Sequence, residues 1–192
     1  ASITKIMTSY VVADQISKGF LTEDTMVDIS EECWRMEGSR MFIKEGTKVS
    51  ISELLKGVII QSGNDASCAL AEKIAGSQSA FADLMNNYAE QLGLENTNFV
   101  NPTGLPDINH YSTANDIAKL SIRLIEDFPD NYALFKEKEY TFNNIRQLNR
   151  NSLLWQDDSI DGIKTGHTNA SGYCLVASAK RDEMRLIAVT LN

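Results

Sequence analysis

The chain has 192 residues, of which 43% are hydrophobic and 23% charged, and its net charge is −8 at pH 7. That length suits one domain with a sizeable core. The acidic balance argues against nucleic acid or an anionic membrane as the main partner, and no apolar run approaches the roughly 18–20 residues of a membrane span.

Helical periodicity opens the chain. From Ser2 to about Ser17, apolar residues at Ile3, Ile6, Met7, Tyr10, Val11 and Ala13 follow near-helical spacing, with Gly19 as a stop. The stretch "SISELLKGVIIQ" begins with a capping box, Ser50 at the cap and Glu53 three residues on. "NDASCALAEKIAG" predicts a short apolar helix ended by Gly76. "SQSAFADLMNNYAEQLG" runs from a Ser77 cap to Gly93, and "STANDIAKLSIRLIEDFP" from a Ser112 cap to Pro129. The end of the chain changes character. "IDGIKTGHT", "SGYCLVASAKR" and "MRLIAVTLN" predict three consecutive strands in an antiparallel meander. Helices followed by strands predict an α+β fold, an antiparallel sheet flanked by helices. No Pro/Gly/Ser-rich linker divides the chain, so one domain over 1–192 is expected.

Cys33, Cys68 and Cys174 are odd in number and lack CxxC spacing, so neither a disulfide framework nor a zinc site is expected. The two histidines, His110 and His167, are far apart, and no metal or other cofactor is implied. Cys68 falls in the first turn of a helix, where a thiolate is favoured; a buried, inert cysteine is the plainer reading. No charged or apolar leader precedes Ala1, and a fragment cut just before Ser2 is expected.

Three short stretches carry chemistry: "SITK" from Ser2 to Lys5, "SGN" from Ser62 to Asn64, and "KTG" from Lys164 to Gly166. Ser2 and Lys5 are three apart, so on a helix they share a face. That spacing lets a lysine take a proton from a serine, which is a poor nucleophile otherwise. An ordinary lysine, with a pKa of about 10.4, can do this at neutral pH only if burial or a nearby cation favours its neutral form. Lys164 is the obvious cation. Alone, each motif is weak: Ser2 could simply open a helix, and Asn64 and Asp65 simply cap one. All three in this order form the set shared by penicillin-binding proteins and class A β-lactamases.

Over essentially its whole length the chain resembles the low-molecular-mass penicillin-binding proteins that act as D-alanyl-D-alanine carboxypeptidases. Beyond the three motifs, "QSGNDAS", "NPTGLPD" followed by "HYSTANDIAKL", "TFNNIRQLNRN" and "DGIKTGHTNASGYCLVASA" carry the likeness. The resemblance implies a DD-peptidase/β-lactamase-like fold truncated at both ends, without the family's N-terminal strands, second β-rich domain and C-terminal amphipathic anchor. It implies a periplasmic enzyme that meets the membrane only through segments outside this chain. Its partners would be peptidoglycan pentapeptide stems ending in D-Ala-D-Ala, and β-lactam antibiotics. By match, Ser2 is the acylated nucleophile, Lys5 its base, Ser62 a proton relay to the leaving group, and Asn64 a ligand of the substrate backbone. Lys164 adds positive potential and Thr165 bonds the terminal carboxylate. Gly166 lets the substrate backbone lie against the strand. The backbone N–H groups of Ser2 and His167 form an oxyanion hole, and the His167 imidazole is given no role. Arg150 is a candidate for binding the carboxylate, with a solvated or ion-paired arginine as the alternative.

Two other functions fit part of the pattern. A class A β-lactamase would carry Glu-x-x-Leu-Asn to activate its hydrolytic water. Here Ile145 and Ala188 stand three residues before Leu148–Asn149 and Leu191–Asn192, and the middle motif is Ser-Gly-Asn rather than Ser-Asp-Asn. An acyl-enzyme with penicillin is therefore expected to persist. A non-catalytic peptidoglycan-binding homologue would be expected to lack Ser2, Lys5 or Lys164, and all three are present.

Overall fold

The computed structural model describes all 192 residues. Residues Ser2–Thr4 form one 3-10 turn that runs directly into α1 (Lys5–Ser17). Nine consecutive residues of α1, Lys5 to Ala13, are buried. A helix buried all round is a central one, and α1 feeds both apolar clusters: Ile6, Met7 and Tyr10 enter one, Val12 the other.

Next come β1 (Met26–Asp28), α2 (Glu31–Trp34) and β2 (Lys48–Ser50), with β1 and β2 paired antiparallel. The helix α3 (Ile51–Lys56) starts at Ser50, whose hydroxyl accepts from the Glu53 N–H at 3.3 Å, as the capping box predicts. It widens into a single π turn over Gly57–Gln61. Then α4 (Asn64–Ala75) ends at Gly76, and α5 (Gln78–Gln91) starts from its Ser77 cap. The next helix, α6 (Ala114–Asp127), departs from expectation at its start. Its cap is Thr113, which accepts from the Asp116 N–H at 3.1 Å, while the Ser112 hydroxyl bonds to Thr97 instead. Pro129 ends α6 and opens the short α7 (Pro129–Tyr132), where a missing N–H costs nothing.

A small hairpin follows, β3 (Glu139–Phe142) and β4 (Ile145–Leu148). The last three strands are β5 (Ile160–Thr168), β6 (Gly172–Arg181) and β7 (Met184–Thr190), antiparallel in the order β5-β6-β7. This is the meander the sequence predicts. α6 packs on β7, and the Ser2–Thr4 turn packs on β5.

One expectation is overturned. Cys33 on α2 and Cys68 on α4 form a disulfide with Cα atoms 5.2 Å apart, and Cys174 alone is free. Cys68 is thus neither a thiolate nor an inert thiol. An odd cysteine count does not forbid one pair, and only tertiary packing brings these two elements together.

Candidate active site

Lys5 Nζ lies 3.1 Å from Ser2 Oγ, as the three-residue spacing on one turn allows. The same Nζ donates to Asn64 Oδ1 and to the Thr103 carbonyl, each at 2.7 Å. Three acceptors exhaust the donors of one ammonium. Only 1% of Lys5 is exposed. Burial, and after it the nearby Lys164, push its pKa well below the ordinary lysine value, with Asp65 opposing.

Ser62 joins the π turn to α4 in the left-handed conformation, with φ at +66°. For a residue with a Cβ this costs about 1–2 kcal/mol. Its Oγ accepts from Lys164 Nζ at 3.0 Å, and Lys164 also donates to the Thr165 carbonyl at 3.1 Å. Lys164 is buried; burial, then the charge of Arg150, lowers its pKa to about 7.

Asn64 is the first residue of α4. Its amide donates to the Glu37 carbonyl at 2.6 Å, and its oxygen accepts from Lys5 Nζ, so the second motif is tied directly to the first. Asp65, given no catalytic part by the sequence, anchors the neighbouring loop. Its carboxylate accepts from the N–H groups of Met41, Phe42, Ile43 and Ala66.

The third motif lies on the free edge of the sheet, because β5 pairs only with β6. Ser2, Ser62, Arg150, Thr165, Gly166 and His167 line one cleft of about 660 Å³. The Thr165 carbonyl, reached by Lys164, marks the open edge. Within a strand, a residue's N–H and C=O point the same way, and the direction repeats every second residue. The His167 N–H therefore shares that edge.

Gly166 shows a constraint not foreseen. A Cβ there would lie 3.0 Å from Ala1 Cβ, 3.1 Å from Ser2 N and 3.2 Å from Ile3 N. The missing side chain lets β5 and the nucleophile turn meet backbone to backbone, before any substrate is considered. Arg150 is exposed and makes no ion pair, so the ion-paired alternative fails. Two buried asparagines present it: Asn149 Nδ2 donates to the Glu137 carbonyl at 2.9 Å and Asn151 Nδ2 to the Gly162 carbonyl at 3.0 Å.

On the other flank, the loop after α5 carries Thr103. There His110 Nε2 and Thr4 Oγ1 are 2.7 Å apart, and the Val100 N–H donates to His110 Nδ1 at 3.1 Å. The imidazole is therefore a neutral Nε2–H tautomer that ties the loop to the turn. The quoted "NPTGLPD" and "HYS" stretches contain these groups, but nothing in their residue types announces which carbonyl meets Lys5. The one cluster of metal-type ligands is Cys33, Cys68 and Glu72, and the disulfide removes two of its three donors.

A serine beside a buried amine of lowered basicity, facing a free strand edge that offers the His167 N–H, is suited to acyl transfer. The family model described as D-alanyl-D-alanine carboxypeptidase matches residues 1–192. The chain belongs to that family. It is 52% identical to D-alanyl-D-alanine carboxypeptidase DacC of Escherichia coli K12 and 48% identical to DacA of the same organism, each over 199 aligned residues. Both alignments cover all of this chain but only 50% and 49% of the relatives. The chain thus spans about half the length of the curated relatives it matches. Among solved structures, penicillin binding protein 5 from Haemophilus influenzae matches with a TM-score of 0.96 at 48% identity, covering 99% of this chain and 57% of that one. The α+β fold is that of the DD-peptidases.

Proposed function

We propose that the protein is a serine D-Ala-D-Ala carboxypeptidase, that residues 1–192 are part of its catalytic domain, and that Ser2 is acylated. One observation carries the reading: Ser2 Oγ at 3.1 Å from a fully buried Lys5 whose pKa is lowered. In this reading the neutral Lys5 amine takes the Ser2 hydroxyl proton as Oγ attacks the carbonyl of the penultimate D-alanine. The tetrahedral oxyanion is met by the N–H groups of Ser2 and His167. The C–N bond then breaks, Ser62 passes a proton to the departing D-alanine amine, and Lys164 reprotonates Ser62 across their 3.0 Å contact. Water then attacks the ester, its proton passing through Ser62 to the now neutral Lys164, and Ser2 Oγ leaves with the proton held by Lys5, which restores both lysines. Arg150, Lys164 and the Thr165 hydroxyl supply the positive and hydrogen-bonding end of the cleft for the terminal carboxylate.

The names of the relatives support D-Ala-D-Ala stems of peptidoglycan as substrate and penicillins as covalent ligands. Penicillins would acylate Ser2 and persist, since no Glu-x-x-Leu-Asn element is present to activate water as a class A β-lactamase does. The disulfide supports an oxidising compartment, which the resemblance makes the periplasm, with membrane contact through segments outside this chain. The test is D-alanine release from a D-Ala-D-Ala pentapeptide, beside mass-spectrometric mapping of a penicillin adduct, in the full-length protein. Both are expected in the wild type and lost in Ser2→Ala. An adduct on another residue, or D-alanine release surviving in Ser2→Ala, overturns the reading.

A further inference from the structure

His110 takes no part in the steps above, although its ring is held at both nitrogens. Nε2 lies 2.7 Å from Thr4 Oγ1, and Nδ1 accepts from the Val100 N–H at 3.1 Å. Burial lowers its pKa to about 4, so the ring is neutral at neutral pH. One end of this bridge is the turn that carries Ser2. The other is the segment from Asn98 to Tyr111, whose two ends pair with each other. The segment presses on the turn: a Cβ at Gly104 would clash with the Ala1 carbonyl and lie 3.0 Å from Thr4 Oγ1.

That segment delivers one atom to the chemistry, the Thr103 carbonyl oxygen. As a neutral base, Lys5 has two N–H groups and one lone pair. Asn64 Oδ1 and the Thr103 carbonyl, each at 2.7 Å, take the two N–H groups. The lone pair is then left for Ser2 Oγ at 3.1 Å, within reach for proton transfer. With either acceptor displaced, the amine can turn about its last bond and the lone pair loses its aim. Asn64 is fixed by α4 and by the Glu37 carbonyl. Thr103 lies outside any helix or strand. Apart from Lys5 itself, two side-chain hydrogen bonds join its segment to the nucleophile turn and α1: Thr8 Oγ1 donates to the Pro102 carbonyl at 2.7 Å, and His110 bonds to Thr4.

We propose that His110 is a positioning residue for acylation: by clasping the Asn98–Tyr111 segment to Thr4, it holds the Thr103 carbonyl where it aims the Lys5 lone pair at Ser2. This rests on Lys5 being the base, and the test separates the two.

In the full-length protein, penicillin acylation is resolved into the Kd of the initial complex and the first-order rate constant of acylation. His110→Ala is expected to lower the rate constant about 10–100-fold, the scale of a misplacement of up to about 1 Å, and to leave Kd within about twofold. His110→Gln, whose amide N–H reaches about as far as Nε2, is expected to recover most of the rate. Thr4→Val removes the other end of the clasp at nearly constant volume. It is expected to match His110→Ala, and the double variant to lose no more than either single one, as partners in one contact do. Leu124→Ala, in the buried cluster on α6, is the control for lost stability and is expected to keep the wild-type rate constant. A wild-type rate constant in folded His110→Ala or Thr4→Val overturns the clasp, as does a loss that falls on Kd or adds fully in the double variant; wild-type acylation at Ser2 then leaves the Ser2 reading standing. Near-normal acylation in Lys5→Arg overturns the base and the clasp together.

Discussion

Gly166→Ala is the sharpest probe of how the site is assembled. The new methyl would lie 3.0 Å from Ala1 Cβ, 3.1 Å from Ser2 N and 3.2 Å from Ile3 N. Ordinary contacts between non-bonded heavy atoms are about 3.5–4.0 Å, so the two pieces must part by roughly half an ångström. Little nearby can yield. Two of the three neighbours are backbone atoms of a turn continuous with the buried α1, and β5 is held to β6 along its length. The movement therefore separates the Ser2 N–H from the His167 N–H, the two donors proposed to meet the oxyanion. Overpacking of this kind costs about 1–3 kcal/mol of stability. A misplacement of about 1 Å costs about 100-fold in rate, so acylation is expected to fall by roughly 10–100-fold. The assay is the second-order rate constant for labelling by a fluorescent penicillin, beside denaturant unfolding of the same variant. Near-wild-type labelling in a folded Gly166→Ala would refute the argument that backbone contact between β5 and the turn sets the oxyanion hole.

Lys5→Arg keeps a cation but removes the neutral base, because arginine stays protonated; acylation is expected to fall by several orders of magnitude, and near-normal labelling would assign the base elsewhere. Cys33→Ser opens a cross-link spanning 35 positions and is expected to lower unfolding free energy by about 3–4 kcal/mol on the loop-entropy scale, read by denaturant titration under oxidising conditions; no loss would mean the pair is not oxidised in the protein. Lys164 has a folded pKa of about 7 against about 10.4 unfolded. Between those values the unfolded state holds a proton that the folded state has shed, so stability rises with pH there. Lys164→Met removes the buried ammonium and is expected to stabilise the fold most at pH 6. The gain should shrink by about 2–3 kcal/mol between pH 7 and pH 9, at about 1.4 kcal/mol per unit; the same gain at both ends would refute the assigned cause.

What the sequence makes legible follows from range. The groups proposed to react stand in short local patterns, so Ser2, Lys5, Ser62 and Lys164 can be found from spacing. The terminal meander shows its period over strands of 7 to 10 residues. The β1–β2 pair and the β3–β4 hairpin, of three- and four-residue strands, are too short to show one. Even so, Asn143 and Asn144, both at positive φ, are the kind of pair that turns a two-residue hairpin, and "NN" was readable as such. The partners of the catalytic groups were hidden for a different reason. The Thr103 carbonyl that receives Lys5 lies 98 positions away, and a carbonyl carries no residue identity. Asn64 is an instructive intermediate: its motif is visible, but only the fold shows that its amide is turned inward to Lys5 and Glu37.

The site concentrates strain, and the surrounding structure is arranged to resist it. Two lysines are buried together, and Ser62 is held in a left-handed conformation between them and α4. Each of these opposes folding, since buried ammonium groups lose hydration and a Cβ resists positive φ. The strongest tethers attach at the same place. Asp65 binds four N–H groups one residue beyond Asn64, and the disulfide joins α4 to α2 one turn further on. The Asn64 N–H donates to the Ser39 carbonyl at 2.7 Å, closing the loop between them. A tether that only raised overall stability could sit anywhere in the chain. These are clustered on the first two turns of α4, where they oppose a rotation of Ser62 and Asn64 away from the lysines that would relieve the strain and disperse the groups of the proposed site.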